Sequence, residues 1–167
     1  IRKRELKKLF RFTAEAFDLT TPELSRLSCD ELLSAYAAFT RSAADQLHSS
    51  PSAVDGVQQR LFQQAYAYGG QWRMRFRLSS MNEAMRAARV LYRAMGIDFR
   101  GVGDGLIEIR RCFFSAYYTS ATCRILSALD AGIVAGLAQA GGLDFSQRIT
   151  EGADMCLARC SVRESER

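Results

Sequence analysis

The chain has 167 residues, a length that suits one domain with its own hydrophobic core. Hydrophobic residues make up 48% of it, which excludes general disorder, and its apolar runs look too short to cross a membrane. The net charge of +5 permits acidic partners or ligands without requiring nucleic acid, so we expect neither a membrane nor a nucleic-acid partner.

The N-terminal part is predicted to be helical. Residues 1–17 carry their apolar side chains on one stripe opposite Lys and Arg, a pattern typical of an amphipathic helix. Thr21 and Pro22 have the spacing of a second helix start. Ser28 and Glu31 form a capping box that opens a further helix.

The spacing of apolar residues changes in the middle of the chain, from a helical pattern to an alternating one. Pro51 opens a helix that Gly69 and Gly70 are expected to end. The following segment 71–78, "QWRMRFRL", alternates apolar and basic residues, which predicts a half-buried strand with an arginine-rich outer face. Such arginines usually form a solvated surface. Alternatively, one or two of them bind a ligand.

The remaining elements alternate between helix and strand. Ser80 and Glu83 form a second capping box, and the turn-rich "GVGDG" leads into a strand over 106–114. Helix 120–139 follows, and the chain ends in a hairpin around the turn "TEGA". Together these elements predict one α+β domain: a helical part, 1–70, then a small, mostly antiparallel twisted sheet covered by helices, 71–162.

Five cysteines, an odd number without the spacing of a disulfide scaffold, favour the reducing cytoplasm as the location. No secretion signal is recognisable. Cys112 lies near the end of a strand and Cys123 in the first turn of helix 120–139. Cys156 and Cys160 point to the same face of the last strand, so several thiols can meet behind that helix.

Three interpretations of these thiols remain open. Free cysteine is often a small buried hydrophobe, and the lack of close cysteine pairs favours that role. Cys123, Cys156 and Asp130 could instead hold a divalent metal such as zinc. Finally, the helix N-terminus could stabilise the Cys123 thiolate and make it reactive. Cys123 and Asp130 are the candidate catalytic residues, and the single histidine, His48, offers little help.

Aromatic residues and arginines near the strand-to-helix junction indicate a ligand pocket, although ordinary core packing explains the aromatics equally well. An arginine could hold a ligand carboxylate by a bidentate contact. The candidate ligand-binding residues are Cys112, Phe114, Tyr117, Tyr118, Trp72, Arg75 and Arg111.

The second half of the chain resembles a known family. A helix that carries Cys123 and Asp130 is followed by the pattern T-x-G-x-x-x-C, here Thr150, Gly152 and Cys156. This arrangement resembles the 4-vinyl reductase-type small-molecule-binding domains, and it is similar to the family named for L-2-amino-thiazoline-4-carboxylic acid hydrolase. The resemblance implies the fold of haem-based nitric-oxide sensors and Golgi transport subunits, in which a twisted sheet and helices enclose an apolar cavity.

The resemblance also implies two functions. The first is a small-molecule-binding domain with an apolar, aromatic-lined pocket between helix 120–139, the strand that ends at Cys112 and the final hairpin. The alternative is a hydrolase that opens a small cyclic amino-acid derivative, in which Asp130 or a metal-bound water activates the attacking water. Relatives of this fold dimerise through helices, so a homodimer is also expected.

Overall fold

The computed structural model describes residues 2–47, 51–101 and 105–161. Five α-helices lie in these ranges: α1 (Arg2–Ala16), α2 (Cys29–Asp45), α3 (Pro51–Phe76), α4 (Met81–Ala94) and α5 (Ser120–Ala138). Four strands accompany them: β1 (Ile97–Gly101), β2 (Leu106–Cys112), β3 (Gly142–Gln147) and β4 (Cys156–Ser161). The short 3-10 turns Phe113–Ala116 and Ile149–Glu151 follow β2 and β3.

The strands form one antiparallel sheet in the order β1-β2-β4-β3. Helices α4 and α5 pack against it, and α5 connects β2 to β3. Alternate residues of β2 and β4 face these helices; Ile107 pairs with Ala158, and Ile109 with Cys156. The predicted α+β class, with N-terminal helices before a small antiparallel sheet, is confirmed.

Helix α5 is the central helix of the protein. It makes its most extensive helix–helix contact with α3, where Gly69 of α3 meets Gly136 of α5, and Gly132 of α5 meets Ala65 of α3. A Cβ atom on Gly69 would overlap the carbonyl oxygen of Ile133, and one on Gly136 would overlap that of Tyr66. The absence of side chains at these positions therefore lets the two backbones touch.

The length and hydropathy of α5 would also allow it to cross a membrane, contrary to the expectation that every apolar run is too short. Of this apolar stretch, 56% is buried inside the protein. Such burial, against α3 and the sheet, is that of a core helix.

The predicted strand 71–78 is wrong, because α3 continues through Gly69 and Gly70 to Phe76. The alternating apolar residues are not half-buried as a strand would have them: Met74 is 75% exposed and Phe76 52% exposed. The helix ends where Arg77 takes a left-handed conformation with φ of 51°. The boundary expected at residue 70 therefore falls inside a helix.

Other boundaries also differ from the prediction. No helix begins at Thr21 and Pro22, and the five-residue strand β1 was not predicted. Segment 106–114 is a strand only as far as Cys112. Both capping boxes are present as predicted, at the starts of α2 and α4, and β3 and β4 form the predicted hairpin.

Gly152 in the β3–β4 connection has a φ of 91°, in the left-handed region. A Cβ there would meet no atom within 4 Å, so a substitution is opposed by the backbone conformation alone. We expect Gly152→Val to lower the free energy of unfolding by about 1–3 kcal/mol, since β-branched residues fit this conformation poorly. Gly152→Asn should be milder because Asn tolerates it. Urea denaturation would measure both; equal losses would contradict this explanation.

Candidate functional site

An internal cavity of about 70 Å³ lies between α5, the end of β2 and the β3–β4 hairpin, where the sequence predicted a pocket. Its walls are overwhelmingly apolar, and α1, α2 and β1 complete them. Six predicted site residues line it: Asp130, Cys123, Cys112, Phe114, Tyr118 and Cys156.

A β-bulge places two of the wall residues. Ile97 of β1 pairs with Cys112 of β2, and Phe99 pairs with Ile109. The two pairs are two residues apart on β1 but three residues apart on β2. Strand β2 therefore carries one extra residue here. Ile109 and Cys112 both line the cavity, while the two residues between them, Arg110 and Arg111, are both exposed.

Asp130 of α5 is the carboxylate of the cavity. The Tyr92 hydroxyl donates a hydrogen bond of 2.8 Å to its Oδ1, and the Tyr92 ring is held by stacking on Phe99. Burial raises the pKa of Asp130 to about 6, although the Tyr92 hydrogen bond and the positive charge of Arg148 both favour the ionised form. Arg124, on the same helix, forms an ion pair with Glu151 at 2.8 Å.

The three cavity thiols lie together as predicted, and none forms a disulfide. Burial raises the pKa of Cys112 to about 12 and also raises the pKa values of Cys123 and Cys156. The expected activation of Cys123 by the helix N-terminus is therefore opposed by the larger effect of desolvation. The raised pKa values favour the interpretation of these cysteines as small hydrophobic side chains.

The expected zinc site is not supported. No group of three or more His, Cys, Asp or Glu residues in the described part of the chain is arranged to hold a metal ion. Cys123, Cys156 and Asp130 line one cavity without converging on a common point. His48 lies outside the described residues.

The burial of the thiols predicts their reactivity. At pH 8, we expect native protein to react quickly at only one thiol, Cys29, which lies half-buried at the start of α2, away from the cavity. The four other thiols should react slowly, because burial raises their pKa values. Timed alkylation with mass mapping would measure this, with unfolded protein as the control; rapid labelling of Cys123 would contradict it.

The hydroxyl groups near the cavity divide into two kinds. Tyr36 and Tyr118 have their hydroxyls hydrogen-bonded to Thr13 and Thr40, at 3.0 and 2.6 Å, so they offer the cavity mainly their rings. The Oγ1 atom of Thr150 is buried, and its hydrogen bond with the Cys123 side chain lowers the pKa of that thiol against the larger effect of burial. A hydroxyl can both donate and accept, so Thr150 keeps hydrogen-bonding capacity for a bound molecule.

The other predicted ligand-binding residues lie elsewhere. Tyr117 is outside the cavity wall, with its hydroxyl 3.5 Å from Ser34 Oγ. Trp72 and Arg75 belong to the C-terminal part of α3, where Trp72 packs between Tyr68 and Phe76 and the Arg75 guanidinium lies over the Phe76 ring. The misassigned strand explains both errors.

Arg111 lies in a second depression that sequence reasoning did not find. We call it the arginine groove: an open groove of about 740 Å³ lined by α4, β1 and the end of β2. Its charged lining consists of Arg89, Arg93, Arg100, Arg110, Arg111, Asp98 and Asp154. The bulge in β2 brings its two arginines here, and an alternating pattern cannot indicate such an insertion.

Several residues that sequence reasoning missed also shape the cavity. Tyr92 holds Asp130 from α4, and Phe145 and Ile149 close the cavity from the hairpin side. Their only signal in the sequence was ordinary apolar patterning, which does not distinguish a cavity wall from a filled core.

Comparison of the chain with protein-family models, curated proteins and solved structures gave no match.

Proposed function

We propose that this protein is a small-molecule-binding domain whose ligand occupies the cavity beside α5. The observation that carries the proposal is the composition of the wall, in which an apolar lining surrounds the Asp130 carboxyl and the buried Thr150 hydroxyl. An apolar pocket with a few polar groups that fix orientation is the usual form of a ligand site.

The cavity limits the size of the enclosed group. An apolar cavity of roughly 150 Å³ accommodates benzene, whereas this one has about 70 Å³. The enclosed part of the ligand is therefore a short aliphatic group or a small ring fragment. A hydrogen-bond donor on it would suit ionised Asp130, and an acceptor would suit Thr150.

The position of the cavity also supports the resemblance to the 4-vinyl reductase-type domains. That resemblance implies a cavity enclosed by a twisted antiparallel sheet and helices, and Cys123, Asp130 and Cys156 of the shared pattern all line the present one. The pattern glycine, Gly152, ends the turn that follows β3.

One observation favours hydrolysis as a second candidate function. A carboxyl group with a pKa of about 6 is mostly ionised at neutral pH yet basic enough to take a proton from an attacking water. L-2-Amino-thiazoline-4-carboxylate is the substrate to assay. Asp130→Asn should abolish turnover while leaving binding; no turnover by the unmodified protein would leave binding alone as the function.

Cavity filling tests the proposed binding function. Cys123→Leu adds a net two non-hydrogen atoms to the cavity wall and keeps good helix propensity. Cys29→Leu is the matched control, since it makes the same change away from the cavity. Native mass spectrometry of the freshly purified unmodified protein should show a retained small molecule. Cys29→Leu should also retain this molecule, and Cys123→Leu should not.

If nothing is retained, a thermal-shift screen of small fragments on the same three proteins replaces this measurement. Stabilisation by a fragment that Cys123→Leu abolishes would support the proposal. Equal responses of all three proteins would contradict it.

A further inference from the structure

We propose that the ligand is an amphiphilic anion: its apolar part occupies the cavity and its oxyanion is bound in the arginine groove. The inference rests on the proposed binding function and adds the chemical class of the ligand. Its basis is the juxtaposition of an apolar cavity and an arginine-lined groove that are both lined by the bulged β1–β2 pair.

The arginine groove has an excess of positive charge. Five arginines line it against two aspartates. Arg100 lies 3.6 Å from Asp98, and Arg110 lies 3.1 Å from Glu108.

Three arginines of the groove have no such partner. Among the described residues, the guanidinium groups of Arg89, Arg93 and Arg111 form no hydrogen bond or ion pair. Guanidinium groups that share a groove without counterions repel one another, and a bound anion would relieve that repulsion.

The placement of these arginines suits an oxyanion. Arg89 and Arg93 are one turn apart on α4, and Arg111 comes from the β2 bulge. Guanidinium binds carboxylate and phosphate oxygens through paired N–H donors. A head group between α4 and the bulge would therefore be held from two elements.

The groove and the cavity share part of their walls. Four residues line both: Ile97, Cys112, Ser115 and Ile149. Three of these side chains are apolar, so they suit a passage for a hydrocarbon group and not for a second charge. A polyanion such as single-stranded nucleic acid would use the groove but not the cavity, and the shared wall therefore favours a small amphiphile.

The test compares one amphiphilic anion with its two halves. Backbone amide signals of the intact protein are followed by NMR during titration with n-butyl phosphate, inorganic phosphate and n-butanol. We expect n-butyl phosphate to bind at least about tenfold more tightly than either half, because one molecule then makes both sets of contacts. It should shift signals of both α5 and the groove.

Variants assign the two parts of the site. Arg93→Gln and Arg111→Gln should each weaken the binding of n-butyl phosphate by about tenfold, the usual effect of losing a charged hydrogen bond. Neither change should alter the binding of n-butanol. Arg159→Gln, on an exposed position of β4 outside the groove, removes the same charge and should change neither. In Cys123→Leu, the affinity for n-butyl phosphate should fall to the affinity for inorganic phosphate.

Three results would overturn the inference. If n-butyl phosphate binds like n-butanol and ignores the arginine variants, the cavity binds ligands but the head-group site is wrong. If it binds like inorganic phosphate and ignores Cys123→Leu, the groove is an independent anion site. If neither n-butanol nor n-butyl phosphate shifts the cavity signals, both this inference and the proposed function fail for such ligands.

Discussion

Replacing Gly69 by alanine is expected to lower the free energy of unfolding by about 2–3 kcal/mol, although alanine is the better helix former. The added methyl group would overlap the carbonyl oxygen of Ile133 and lie 3.0 Å from the amide nitrogen of Leu137. Both are backbone atoms of α5, which cannot rotate away as a side chain can. The α3–α5 crossing must therefore open, and its packing is lost along the contact.

The neighbouring glycine provides the control. A Cβ on Gly70 would meet no atom within 4 Å, so Gly70→Ala should gain stability by about 0.5–1 kcal/mol through helix propensity. Urea denaturation of both variants measures the contrast. Equal effects at the two positions would show that close backbone contact is not what requires glycine in α3.

Asp130→Asn is expected to gain stability relative to the unmodified protein as the pH rises from about 4 to about 6. The pKa of Asp130 rises from its ordinary value of 3.8 to about 6 in the folded protein. Between these values the folded protein keeps a proton that the unfolded chain releases, so rising pH destabilises the fold and the loss stays constant above pH 6. Asn does not titrate, and the difference in unfolding free energy should grow by about 3 kcal/mol across this window.

The measurement is urea denaturation of both proteins at pH 4, 5, 6 and 7. Other carboxylates have the opposite pH dependence, and comparing the two proteins cancels it. In Glu83, for example, hydrogen bonds with Ser79 and Ser80 lower the pKa to about 2. Asp144→Asn makes the same substitution at an exposed position of β3 and is the matched control. Parallel curves for Asp130→Asn and the unmodified protein would show that the carboxyl is not held in a dry site.

The features that the sequence predicted well are those that depend on near neighbours. The capping boxes need only a serine and a glutamate three residues apart, and both form as expected. The left-handed turn at Gly152 is equally local. The cavity residues Cys123 and Asp130 were found because seven residues along a helix return to the same face.

The features that the sequence did not predict depend on distant contacts. Gly69 was interpreted as a helix end because glycine usually stops helices, whereas here it serves the contact with α5. The arginine groove requires α4, β1 and a bulged β2 to come together. Neither the helix crossing nor the extra residue in β2 leaves a periodic signal in the chain.

The contact between α3 and α5 also has a consequence for biosynthesis. These helices are separated in the chain by α4 and the β1–β2 pair, so their crossing closes a long loop, and such contacts form late in folding. On the ribosome, α3 emerges with the surface around Ala65 and Gly69 uncovered until Ser120–Ala138 has been made. During that interval the nascent chain exposes an apolar stripe that a chaperone can bind, and only the arrival of α5 removes it.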